Sequence, residues 1–240
     1  MKVPPGWGED DLSAFVEQAQ RNTHATFANL RKPYLALQTI DDLFSAAHRE
    51  LEGCERNFVS CLLCLRTHSS FRGAARLAMS GQLPEAYALM RSCLENALYS
   101  VYVHDDEQRA LVWLNRMESE GARRESRSLF THGKVIDHLR LLNDAVAQRA
   151  SKLYDTAIDY GAHPNMASVL ANVSVTETQE SGRLDLSYLT GDSTALRFGI
   201  KTCAQVGVSC LEILSIAFQR EFGGSHILQR AHEVAGAHGL

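Results

Sequence analysis

Most of the features that would give a chain an immediate function are missing here. No apolar run reaches the roughly 18 residues that a membrane span needs. The nearest, Phe198 to Phe218, is interrupted by Lys201, Gln205 and Glu212 and reads as a buried helix. The opening residues, Met1 to Asp11, hold no apolar stretch of the kind a signal peptide carries. A general basic surplus is absent too. The formal charge is −4, which argues against a phosphate-binding surface spread over the whole domain. No serine sits in a nucleophile elbow, and the chain has neither a glycine-rich phosphate loop nor a helical HExxH. Only six cysteines occur in 240 residues. Without an export signal they read as reduced thiols in a cytoplasm, and no disulfide is expected.

What is present is an ordinary globular composition, 45% apolar and 22% charged, in a chain long enough to bury a core without metal or disulfide. The punctuation is helical. Asp10-Asp11-Leu12 opens a first helix to about Leu30, and Pro33 restarts the chain into a second that ends near Leu51 and Gly53. A third is expected from about Cys54 to Met79, and Ser80-Gly81-Gln82-Leu83-Pro84 is a stop and restart. The fourth, Pro84 to Val103, is apolar nearly all round and belongs in the middle of a bundle. Asp105-Asp106-Glu107 starts a fifth to Phe130, and more helix follows through Tyr160 until Gly161-Ala162-His163-Pro164 stops it. Residues 165–192 alternate and are β-branched in parts, which predicts a loop or small β-hairpin inserted between helices. A last long helix is expected from Thr194 to Phe222. Its Gly199, Cys203 and Gly207 recur every four residues and permit another helix to approach closely. The whole is read as one all-α domain, a multi-helix bundle over 1–240, with residues 1–10 and 224–240 as loose ends.

Three sets of residues stand out. Arg91 and Glu95 sit one turn apart on the apolar fourth helix, with Tyr99 and Tyr102 beside them. Charges in such surroundings are seldom buried unless paired. The pair reads either as a structural ion pair or as part of a polar pocket, closed by His163 from a helix that also carries Tyr154, Asp155 and Tyr160. Arg123, Arg124 and Arg127, with Arg116, form a local basic patch, which suits either a solvated helix face or nucleic-acid binding. Cys54, Cys61, Cys64 and His68 share a helix face, but at ~1.5 Å per residue they extend over ~21 Å, too far for one tetrahedral zinc. Core thiols are the simpler reading, and neither metal nor cofactor is expected.

The stretch Gly81-Gln82-Leu83-Pro84-Glu85-Ala86-Tyr87-Ala88-Leu89-Met90-Arg91-Ser92-Cys93-Leu94-Glu95-Asn96-Ala97, with the later His163-Pro164 step, resembles a segment of bacterial helical proteins. Some of these are similar to the HEPN class, small helical domains that include ribonucleases. The resemblance spans roughly residues 55–220. It implies a helical fold and, in its ribonuclease members, an arginine followed after four to six residues by a histidine. Arg127 to His132 matches that spacing, as does Arg220 with His226, a frequency that nineteen arginines and ten histidines give by chance. Three functions follow as expectations. The first is an interaction, regulatory or ligand-sensing bundle, working as a homo-oligomer with a small ligand. The second is a HEPN-type RNA-binding protein or metal-independent ribonuclease, with Arg127 and His132 as its weak motif. The third is an enzyme using Arg91, Glu95 and His163.

Overall fold

The hairpin of the third and fourth helices organises the molecule. Helix α3 (Phe58–Ser80) ends because Gly81 turns into the left-handed region at φ +86°, where its N–H and that of Gln82 reach back to the carbonyls of Ala78 and Leu77. Helix α4 (Leu83–Val103) begins at once, with Pro84 in its first turn. At the far end of the hairpin two serines clasp the helices. The Ser60 hydroxyl donates to the Ser100 carbonyl at 2.8 Å, and the Ser100 hydroxyl donates to the Ser60 carbonyl at 2.9 Å.

A computed structural model describes residues 3–52, 57–104, 106–163, 166, 173–177 and 182–240. Among the described residues there are eleven helices and one two-stranded hairpin, an all-α bundle. Helix α1 (Asp11–Asn29) is capped by the Asp10 carboxylate, which accepts from the N–H groups of Leu12 and Ser13. Leu30 makes the corner into α2 (Arg31–Glu50). The charged stretch after α4 forms α5 (Glu107–Leu114), a 3₁₀ turn (Asn115–Met117) and α6 (Glu120–Leu129). The single helix expected from Glu107 to Phe130 is therefore two. The reason is local: the Ser119 side chain accepts from the Ala122 N–H and starts a new helix. Next come α7 (His132–Leu142) and α8 (Asp144–Ala157), which closes in a π turn (Ile158–Ala162).

Strands β1 (Val173–Glu177) and β2 (Gly182–Leu186) pair antiparallel, with Val173 opposite Leu186. The hairpin alternative for 165–192 is the one observed. Its neighbours 167–172 and 178–181, like Pro164, lie outside the described residues. Thr190 then donates to the Gly81 carbonyl at 2.8 Å and fastens the insertion to the α3–α4 turn.

Helix α9 (Thr194–Ala217), capped by Ser193, lies buried along the bundle. Its composition and length would also suit a membrane span, but 72% of its most apolar window is buried within the protein. The small-residue stripe works as its spacing implied. A Cβ at Gly199 would come within 2.6 Å of Leu83, and one at Gly207 within 2.6 Å of Phe71 and 2.7 Å of Ile40. Short α10 (Gln219–Phe222) leads to α11 (Ile227–His238). That last helix corrects the expected loose tail of 224–240. Ile227, Ala231 and Val234 are buried at helical spacing, and α11 packs on α2 and α9. Residues 3–10 are exposed, yet Trp7 Nε1 donates to Glu17 and Gly8 N donates to the Ser13 hydroxyl.

Candidate functional site

The site is built outward from α4. Arg91 and Glu95, one turn apart, are joined Nε to Oε1 at 2.9 Å. Their side chains keep 31% and 35% of their exposure, so the pair stands at the bundle's surface with one flank covered rather than inside an apolar core. The covering group is Tyr154 of α8. Its hydroxyl donates to the same Glu95 oxygen at 3.0 Å, and the Arg91 guanidinium lies 5.2 Å from the centre of its ring. His132, the first residue of α7, stacks flat on the Tyr154 ring, the ring centres 3.7 Å apart and the planes 11° from parallel. Thr131 caps α7 through its side chain and so holds His132 at the helix entrance.

Burial and the Glu95 carboxylate push the Tyr154 hydroxyl up to about 12, so it stays protonated and remains a donor. Burial lowers the pKa of His132, with the carboxylates of Asp155 and Glu95 partly opposing and Arg91 assisting. At neutral pH the imidazole is therefore neutral, with one nitrogen able to accept a proton.

Tyr99, one further turn along α4, links this cluster to a cleft. Its hydroxyl donates to the Phe130 carbonyl at 3.0 Å, and only Thr131 separates Phe130 from His132. Burial and then Glu95 raise its pKa, while Arg116 and Arg91 pull it down, so charges on both sides act on this one ring. The cleft holds about 380 Å³ and is lined by Tyr99, Trp113, Arg116, Arg123, Arg127 and Phe130, with Ser126 and Met117. Arg123, Ser126, Arg127 and Phe130 fall on one face of α6 and its exit. Arg123 is paired with Glu120 at 3.1 Å. Arg116 lies 5.7 Å from the Trp113 ring, and among the described residues neither Arg116 nor Arg127 has a carboxylate partner. Arg124, the fourth member of the patch read from the sequence, is exposed and does not line the cleft.

Of the polar pocket expected from the sequence, Arg91, Glu95 and Tyr99 are together. His163 lies past the end of α8. It follows the π turn whose Gly161 abuts the Pro84 backbone, and Tyr160 there stacks on Tyr87. Pro84 precedes Arg91 by seven residues, ~10 Å along the helix axis. The histidine against Tyr154 is His132. Its earlier signal was only the Arg127–His132 spacing, and nothing in the sequence tied it to Tyr154.

The cysteine stripe behaves as core. Cys64 is buried, and burial followed by Cys61 pushes its thiol up to about 12. His68 is hydrogen-bonded through Nε2 to Asp41 at 2.6 Å and stacks on Phe44. Cys54 lies outside the described residues, and among the described ones no three potential ligands gather for a metal ion. Comparison with known protein families, with curated proteins and with solved structures finds no match.

Proposed function

We propose that this chain is a ligand-binding bundle of a regulatory or sensing kind, and that the cleft between α5 and α6 takes a phosphate-bearing, planar ligand such as a nucleotide. One observation carries the reading: two arginines without carboxylate partners, Arg116 and Arg127, share a cleft with Trp113 and Tyr99. Guanidinium groups bind phosphate oxygens through paired N–H donors, and aromatic faces stack on a base. The net charge of −4 is no obstacle, because the basic groups are concentrated at one place. Glu95, ion-paired with Arg91 and accepting from Tyr154, does not repel such a ligand as an unpaired carboxylate would.

A second reading has a specific observation in its favour. Arg127 lines the cleft, and His132 lies just beyond the Tyr99–Phe130 contact that bounds it, neutral and able to accept a proton. A HEPN-type ribonuclease without metal needs that combination of charge stabiliser and base at one phosphate, in a homo-oligomer that pairs two sites. An enzyme built on Arg91 and Glu95 would draw on the same histidine.

Fluorescence polarisation with a labelled nucleotide and a labelled single-stranded RNA, at low and high salt, tests both. The expected result is salt-sensitive nucleotide binding, weakened about tenfold or more by Arg116→Ala or Arg127→Ala at unchanged melting temperature. Binding that ignores both substitutions refutes the proposal. RNA cleavage that His132→Ala abolishes in a folded protein replaces it with the ribonuclease reading.

A further inference from the structure

A second groove lies on the opposite side of α8 from Tyr154's partners and shares no residue with the arginine cleft. Its walls come from α8 (Arg149, Lys152, Leu153), α9 (Gln205, Val208, Ser209, Glu212) and α11 (His232, Ala235), with Leu240 at one edge, and it holds about 330 Å³. That volume is at the small end of ligand sites, which suits a short molecule.

The groove has a built polar floor. The Glu212 side chain retains only 7% of its exposure, although a carboxylate is costly to bury. It is held by Arg149, Nη2 to Oε1 at 2.9 Å and Nε to Oε2 at 3.2 Å, and by His232, Nε2 to Oε1 at 2.8 Å. Both carboxylate oxygens thus already accept from protein donors, and the Glu212 charge is compensated by Arg149. Among the lining side chains the charge left over is positive. Lys152 is exposed at the groove and has no ion-pair partner among the described residues. A second feature points the same way. Ser209, one turn before Glu212, is 2% exposed, and its hydroxyl has no hydrogen-bond partner among the described residues. A donor buried in this way is normally met by something. The remaining wall, Leu153, Val208 and Ala235, is apolar.

We propose that this groove is a binding site for a small organic anion with a short apolar body, of the class of a medium-chain carboxylate. Its head group lies against Lys152 and the outer N–H groups of Arg149, and its chain lies along Leu153, Val208 and Ala235. The site is independent of the arginine cleft.

Titration calorimetry on the full chain tests this, with octanoate, octylamine and octanol as probes. Octanoate is expected to bind one per chain, and octylamine not at all. Lys152→Glu, at a solvent-facing position without a partner, should weaken octanoate binding about tenfold or more. Ala235→Trp, which fills the groove from the partly exposed face of α11, should abolish it. Arg116→Ala should leave it unchanged, so that failure of the cleft and failure of the groove are told apart. The proposal is overturned if octanoate does not bind, if octylamine or octanol binds as tightly, or if both groove variants bind like the unaltered protein.

Discussion

Replacing Glu95 by alanine separates a decorative surface ion pair from an organised site. An exposed helical pair contributes under ~1 kcal/mol, and truncating one partner of a fully buried pair costs ~3–5 kcal/mol. The Arg91–Glu95 pair lies between these limits, its two side chains about a third exposed. The Coulombic part is therefore discounted for solvent and taken at no more than ~1 kcal/mol. Glu95 Oε1 also accepts from Tyr154, a buried residue whose hydroxyl would lose this partner, and such a hydroxyl costs a further ~1–2 kcal/mol. The sum for Glu95→Ala is about 2 kcal/mol. Tyr154→Phe removes only the hydroxyl and keeps the ring's contacts with Arg91 and His132, so it should cost about half as much. The double variant should show a coupling of ~1 kcal/mol, because the two substitutions remove the same bond. Urea denaturation of the four proteins measures this. A Glu95→Ala cost within ~0.5 kcal/mol of zero, or a coupling near zero, would refute the account of Tyr154 as the clamp on this pair.

Two more outcomes follow from the same geometry. His48 is pushed down from 6.5 to about 4, by burial first and then by His68 and Arg72, so the unfolded chain takes up its proton more readily than the folded one. Its contribution is complete above pH 6.5 and is lost as the pH falls toward 4, and His132 and His138 act in the same direction. The midpoint of urea unfolding should therefore fall across that window, and His48→Gln should flatten the fall; an unchanged slope would contradict the assignment. Ile227→Ala should cost ~2–4 kcal/mol in the same assay, because Ile227 is fully buried at the start of α11, whereas a loose tail would tolerate it.

The helical class and most helix boundaries could be read from the chain because their causes are local. Asp10, the Gly81–Pro84 step and Ser193 start or stop helices through their own backbone and side-chain chemistry within a few residues. The close approach at Gly199 and Gly207 was legible for the same reason, since small residues at helical spacing leave a groove whatever fills it. The break at Ser119 was local too, but a capping serine inside a charged run competes weakly with the helical pattern on either side.

What faced what was a different matter. The last helix carried its Ile227–Ala231–Val234 stripe in the sequence, but a stripe becomes a buried helix only when another surface covers it, and that surface is on α2 and α9. Arg91 and Glu95 announced themselves as a pair, yet their exposure depended on how α8 crosses α4. The identity of the histidine beside them depended on where α7 begins. His132 rather than His163 lies against Tyr154 because α8 runs from Tyr154 beside Glu95 back to Gly161 beside Pro84, carrying His163 toward the start of α4. Spacing along one helix fixes which side chains share a face. Only the packing of several helices decides which of those faces meet, because contacts between residues far apart in the chain leave no periodic trace in it.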